Sequence, residues 1–491
     1  MKRTATLLIL TALLANLAAC GGAPAETPAG DTTAASGETT TAAETDPPLE
    51  VKDFGGHVVK IMTRDDSATS IAWNTVDVYA AEENGEAIND AVYRRNVKVE
   101  DTYNVKIERH AVKLADHVNT VKNNVMAGDD TYDLILTLVT HSATLSGEGV
   151  LNELNALPYL DFTKDCWDSS AMADFAIGGK NYYCMGEVNI TDNDATWSTL
   201  FNKDLKAKYT AIPDLYELVK SGKWTMDALR EYGKMATVDL DSDSVMNWEK
   251  DQFGLIDQYE AAVAIFSGAG LRTISVDDKA NFTYELDSET NVNALGRIWE
   301  FFSDKTFQLN ADDHSVTDKW NVLSRGTFKS GRGLFFMVPL SSIRLIRDME
   351  YDFGILPVPK LDEKQAEYCS TIQYNNATAY SIPVTAADPA RTALILEALC
   401  EGSVDTLTPA YYDITLKRKA SRDDASSDML DLIFAKRCLD PSFAFTSIGT
   451  WDHIKNVAKA ESNNVVSLEA ANHDTFLANA EKIFTTLKEL D

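Results

Sequence analysis

Hydrophobic and polar positions along this chain switch repeatedly between a period of two residues and a period near 3.6. Val58-Val59-Lys60-Ile61-Met62 is a short run rich in β-branched residues, and it stops at the polar stretch from Thr63 to Ser67, the pattern of a buried strand followed by a loop. From about Asn89 the spacing becomes helical. Ile88, Val92 and Val99 fall on one side, and Arg94, Arg95 and Lys98 on the other. Asn104 to Glu108 alternates as a second strand, Val118, Val121 and Val125 mark a second helix that Gly128 stops, and Tyr132 to Leu138 reads as a third, fully buried strand. Strand, helix, strand, helix, strand predicts a parallel sheet covered on both faces, with any ligand at the carboxyl ends of the strands. Two polar segments follow strand ends there: Arg64 to Ser67, and Thr140-His141-Ser142.

Further along, Trp224 to Ala236, Ala261 to Gly268 and Leu295 to Phe302 carry helical stripes. Strand signals return at Gly333 to Val338 and Tyr351 to Val358, each closed by a proline. From Pro389 onward the pattern is helical with little strand, and no internal repeat has a fixed period.

The amino terminus departs from all of this. Lys2 and Arg3 precede an apolar stretch, Leu7 to Ala15, and then Leu17-Ala18-Ala19-Cys20, the three-part layout of an export signal. The apolar stretch is shorter than the ~20 residues a membrane-spanning helix needs. Leu17 to Gly21 resembles a bacterial lipobox, which implies cleavage before Cys20 and diacylation of that cysteine, enough for stable membrane attachment. Gly21 to Pro48 contains no aromatic residue, Lys or Arg, so it has little to bury against its ordering entropy and is expected to be a tether. By its composition it would hold the remainder ~25–30 Å from the lipid on average.

Composition narrows the function classes. Among 491 residues, 45 Lys and Arg face 75 Asp and Glu, a net charge of −30. Such a chain repels nucleic-acid phosphates and anionic headgroups, so no nucleic-acid partner is expected. Six cysteines without CxxC spacing and seven scattered histidines supply no metal knuckle, and no metal or cofactor is expected. Asp239-Leu240-Asp241-Ser242-Asp243 imitates the start of a calcium loop, but its sixth position is Ser244 rather than Gly and its twelfth is Lys250 rather than Glu. Of the cysteines beyond Cys20, Cys166 and Cys184 could pair, and most of the five are expected to be buried free thiols. HExxH, GxSxG, P-loop and GxGxxG motifs are absent.

Five segments in order carry a resemblance to a known family. Gly178 to Tyr183 looks like a GGK-x-Y hairpin, Leu200 to Leu205 like an "lfyNkdl" segment and Trp224 to Leu229 like "TWdel". Phe328 to Met337 resembles "F-x-sGkaAm", with Phe335-Phe336 in place of the usual small pair, and Phe353 to Lys360 resembles "gvaplPk". Spread over residues 54–400, they resemble the family 1 extracellular solute-binding components of ABC importers, the sugar- and oligosaccharide-binding type. The resemblance implies an α/β, two-lobed periplasmic-binding-protein-like type II fold with several hinge crossovers. It implies a signal peptide over 1–19, the lipidated Cys20 and tether over 20–53, lobe one over 54–190 and 328–372, and lobe two over 193–327 and 376–491. The implied protein is not an enzyme. It captures a solute by hinge closure, a neutral oligosaccharide first given the charge, and delivers it to the permease subunits of an ABC transporter. It would do so while held by lipid on the extracytoplasmic face of the cell membrane. The alternatives are a lipid-anchored glycan hydrolase, whose paired carboxylates 75 acids cannot exclude, or a binder of peptides or other solutes. A surface adhesin would call for repeats beyond residue 48, and there are none.

Sugars are held by aromatic faces and by planar carboxylates and amides. The expected ligand groups are therefore Arg64, Asp65, Asp66 and His141 on the ligand-edge segments, and Trp73 and Trp320 outside any helical stripe. To these are added Asp192, Asn193, Asp194 and Trp197 at the first crossover, and Tyr374 and Asn375 at the last. Asp194 with Trp197 is the leading pair.

Overall fold

The computed structural model describes residues 49–67, 73–417 and 424–490. The export signal, Cys20 and the tether up to Pro48 lie outside them. Eleven strands follow in chain order: β1 (His57–Arg64), β2 (Val105–Val112), β3 (Leu134–Leu138), β4 (Trp197–Asn202), β5 (Phe253–Asp257), β6 (Ile274–Val276), β7 (Phe282–Tyr284), β8 (Gln308–Asn310), β9 (Gly333–Pro339), β10 (Phe353–Leu356) and β11 (Thr378–Ser381).

Lobe one is built on the sheet β11-β3-β1-β2. Its β1 lies parallel to β2 and β3, as the alternation of strands and helices requires, and β11 closes the edge antiparallel to β3. The helix Ala87–Tyr103 buries Ile88, Val92 and Val99, the expected stripe, and packs against the helix Pro389–Val404. Gly128 ends the helix His117–Ala127 with φ of 66°, a left-handed conformation that only glycine adopts without strain. At the end of β3 the expected polar segment is absent. Leu138 passes directly into the helix Val139–Gly147, which places His141 inside a helix.

Lobe two holds the sheet β10-β4-β9-β5-β8, with β4 antiparallel to β9 and β10 and with β5 parallel to β8 and β9. Every residue of β4, β5, β9 and β10 is buried, as expected of strands covered on both faces. The helix Met226–Met235 lies directly on β5, and a Cβ on Gly254 would stand 2.1 Å from the Gly233 carbonyl oxygen. Two glycines facing each other set this spacing and with it the position of the strand end that carries Asp257.

These pairings correct the expected division of the chain. β9 and β10, expected in lobe one within 328–372, are hydrogen-bonded to β4 in lobe two. β11 and the helix Pro389–Val404, expected in lobe two within 376–491, belong to lobe one, where Leu394, Ile395 and Leu396 join the core around Val59 and Ile61. The order of motifs ranks segments along the chain, whereas strand partners are chosen by long-range complementarity that no local period records.

Three segments cross between the lobes side by side. Thr196 bridges Ile372, and the Trp197 N–H donates to the Thr371 carbonyl (2.9 Å). The Cys438 N–H donates to the Ser370 carbonyl (2.8 Å). Around them the aromatic rings of Phe175, Tyr374, Phe443 and Trp451 touch, with the Tyr374 centroid 6.1, 5.6 and 5.5 Å from the other three. The five cysteines beyond Cys20 are buried and unbridged, Cys166 and Cys184 included.

Candidate functional site

A cavity of about 590 Å³ opens at the carboxyl ends of β1, β5 and β9, where both lobes and a crossover segment meet. Lobe one contributes Arg64, the last residue of β1, and Trp73. Lobe two contributes Asp257, Gln258 and Glu260 after β5, Phe336 to Pro339 of β9, and a run from Asp318 to Arg325. The crossover adds Gln373 and Asn376. An adjoining recess of about 350 Å³ shares Glu260 and Trp320 and is edged by Lys319, Lys455 and Lys459.

Trp320 opens a π-helical turn, Trp320–Arg325, a geometry that recurs at functional sites because it re-aims side chains within a helix. Its ring is 37% exposed, an unusual cost for a tryptophan with nothing to cover it. The Lys319 ammonium stands 4.6 Å from the ring centroid and donates to Asp312 (2.6 Å). Within the turn, Arg325 donates to Ser342 Oγ (3.0 and 3.2 Å) and to Asn321 Oδ1 (2.9 Å), and burial pushes its guanidinium down to about 10 against the pull of Asp318.

Asp257 ends β5 in register with Asn310 and is 2% exposed. Among the described residues neither of its carboxylate oxygens has a hydrogen-bond partner. Burial pushes this carboxyl well above the usual carboxylate range, with Lys305 pulling the other way. An acceptor so placed is ready for donors brought by a ligand. Glu260 is arranged differently. Gln373 Nε2 (2.7 Å) and Gln258 Nε2 (3.0 Å) both donate to it, and burial again raises its carboxyl while Lys455 opposes. Glu260 thus fixes two amides whose remaining groups face the cavity wall.

Of the expected ligand residues, the structure brings Arg64, Trp73 and Trp320 to this cavity. The rest lie elsewhere, each for a definite reason. Asp65 accepts from Ser67 (2.7 Å), and Asp66 pairs with Arg109 (2.7 Å) on the edge strand β2. His141 meets Thr137 Oγ1 (3.2 Å), which also meets His117 Nδ1 (2.6 Å). Asp192 and Asn193 accept from the buried Arg437 (3.1 and 2.5 Å), which also contacts Asp168 and Thr196. Asp194 is held by Arg344 and by the Tyr411 hydroxyl (3.2 Å). Trp197 is fully buried within β4, and Tyr374 is hinge core whose hydroxyl accepts from the Asp440 N–H (2.7 Å). Asn375 is exposed, while its neighbour Asn376 lines the cavity. The polar cluster at the first crossover therefore fastens the hinge, and Asp192 and Asn193 line a separate recess of about 150 Å³ away from the cavity.

Asp257, Gln258, Glu260, Asn321, Arg325 and Gln373 were not anticipated. For the first three a signal exists, since Phe253-Gly254-Leu255-Ile256 is an apolar run ending in polar residues, the same signature as β1. The calcium-like segment brings carboxylate oxygens of Asp239, Asp241 and Asp243 within 4.8 Å of one another. There the Lys250 ammonium, at the twelfth position, lies 2.7 Å from Asp241 and supplies the positive charge itself.

No known family model matches the sequence, and no curated protein sequence matches it. Solved structures do match. A cyclo/maltodextrin-binding protein complexed with maltotetraose is 15% identical, with a TM-score of 0.56 over 88% of this chain and 97% of that one. The cyclic alpha-maltosyl-1,6-maltose binding protein from Arthrobacter globiformis is 14% identical, with a TM-score of 0.54 over 88% of this chain and 100% of that one. A family 1 extracellular solute-binding protein from Bifidobacterium longum subsp. infantis is 14% identical, with a TM-score of 0.54 over 86% and 100%. The fold is that of the two-lobed solute-binding proteins, as the resemblance implied.

Proposed function

We propose that this protein captures an oligosaccharide outside the cytoplasm and passes it to the permease of an ABC importer, without turning it over. The observation that carries this reading is the cavity between the lobes. It presents tryptophan faces from both, Trp73 and Trp320, together with planar carboxylates and amides at Asp257, Gln258, Glu260, Gln373 and Asn376. Stacking on C–H-rich ring faces and bidentate pairing to hydroxyls use groups of these kinds. Because the walls belong to different lobes joined by a narrow hinge, a solute touching both stabilises the closed arrangement, and a permease can read that state. The names of two of the matched structures, a cyclo/maltodextrin-binding protein and a cyclic alpha-maltosyl-1,6-maltose binding protein, support the same class of solute. We further infer that Cys20 carries the lipid that keeps the protein at the membrane. Among the described residues no helix is long and apolar enough to cross a membrane.

A thermal-shift screen of the mature protein against a carbohydrate library tests the reading, since a ligand of the folded state raises its stability by RT ln(1 + [L]/Kd). A rise in Tm with oligosaccharides and an unchanged glycan after prolonged incubation are expected. A rise with peptides alone would contradict the solute class, and release of shortened glycan would move the assignment to a hydrolase. For the anchor, incorporation of a fatty-acid analogue should be lost in Cys20→Ser, and equal labelling of that variant would remove the lipid.

A further inference from the structure

Two arginines enter the cavity from opposite lobes, and among the described residues neither forms an ion pair with a carboxylate. Arg64, at the end of β1, has no hydrogen bond or ion pair from its guanidinium among the described residues, and burial lowers its pKa. Of its sequence neighbours, Asp65 raises its pKa through space without forming an ion pair, and Asp66 pairs with Arg109. Arg325 spends its donors on the neutral oxygens of Ser342 and Asn321, and Asp318, whose charge pulls on it, forms no ion pair with it and accepts from Asn321 Nδ2 (2.8 Å). A half-buried guanidinium without an anionic partner leaves charge-assisted hydrogen bonds unmade.

We propose that the bound oligosaccharide carries a carboxylate, as in a uronic acid unit, and that the guanidinium groups of Arg64 and Arg325 hold it between the two lobes. The assignment rests on the oligosaccharide reading above and sharpens it. It revises the expectation of a neutral solute drawn from the net charge of −30. Charge spread over the outer surface is screened beyond ~8–10 Å in physiological salt, so the groups lining the cavity decide what enters it. There the carboxyl of Asp257 is pushed towards its neutral form by burial, and Lys459 adds a further cation at the edge of the adjoining recess. A planar carboxylate matches the guanidinium fork in two parallel hydrogen bonds, a geometry that an isolated hydroxyl cannot provide.

The test is calorimetric titration of the mature protein with tetrasaccharides of galacturonate, glucuronate and mannuronate, each as free acid and as methyl ester, beside a neutral and a sulfated tetrasaccharide. At least one free acid should bind tenfold or more tighter than its own methyl ester, and that margin should collapse in Arg64→Gln and in Arg325→Gln while Arg325→Lys keeps part of it. Because the Arg64 guanidinium has no hydrogen-bond or ion-pair partner among the described residues, Arg64→Gln should melt close to the wild type. Tight binding of the neutral tetrasaccharide or of a methyl ester, undiminished in Arg64→Gln, overturns the carboxylate and leaves the oligosaccharide reading standing. Equal binding of the sulfated sugar replaces the carboxylate with a general anion and likewise overturns it. No heat with any carbohydrate overturns both.

Discussion

Five tryptophan, histidine and aspartate positions show how much a single residue type can conceal. Trp197 and Trp320 are the same side chain in similarly polar sequence surroundings, yet one is fully buried in a central strand and the other is 37% exposed at the rim of the cavity. Trp197→Ala should therefore cost ~3–5 kcal/mol in urea unfolding, because it empties a core site, and the folded fraction should bind solute as before. An affinity loss without a stability loss would return Trp197 to the ligand site. Asp192 and Asp194 drew notice as acids at a crossover, and the sequence could not show that Arg437 and Arg344 were already facing them. His141 is held neutral down to about pH 4 by burial, with His117 opposing protonation as well. In the unfolded chain its pKa is near 6.5, so between pH 6.5 and 4 the unfolded state takes up a proton that the native ring refuses. Its contribution is complete above pH 6.5 and is lost as the pH falls through that window, by at most about 3 kcal/mol. His141→Gln should flatten the decline between pH 7 and pH 4 in urea midpoints, and an equally steep decline would place the acid sensitivity elsewhere.

At the scale of elements, the legible strands were those written as continuous apolar runs. β1, β3, β9 and β10 all fall where the pattern places them, and so do the helices ending at Ala127, Met235 and Gly268. β4 escaped because Trp197-Ser198-Thr199-Leu200-Phe201-Asn202 mixes polar and apolar residues although all six are buried, its serine and threonine being tolerated between strands β9 and β10. The ownership of β9, β10 and β11 was not legible either, since a period of two states that a strand is covered and not by which sheet. The crossover element offers the sharpest test. Arg437 is buried and joins Asp168 of lobe one to Asp192, Asn193 and Thr196 of the crossing segment. Arg437→Met leaves the buried Asp192 and the half-buried Asp168 uncompensated and should lower stability by ~3–5 kcal/mol, with Asp192→Asn on the same background recovering part of it. Strict additivity of the two substitutions would show that this contact does not fasten the hinge.

For the whole molecule, the −30 charge and the cavity now describe different places. The net charge of −30 is a property of the whole chain and resists adhesion to an anionic bilayer. The cavity joins arginines, tryptophans, carboxylates and amides that the chain brings from residues as far apart as Arg64 and Asn376. No local motif could have announced that convergence, although Arg64, Trp73 and Trp320 were each individually visible. The central claim is that an oligosaccharide is held between Trp73 and Trp320 across the two lobes. Calorimetric titration of wild type, Trp73→Ala and Trp320→Ala with the best oligosaccharide from the library tests it most directly. One bound molecule per wild-type chain is expected, with each variant at least tenfold weaker, the loss of ~1.5 kcal/mol that an aromatic face contributes, and with the melting temperature unaltered in Trp320→Ala, whereas Trp73→Ala also gives up packing against the core. Wild-type affinity in both variants would contradict it.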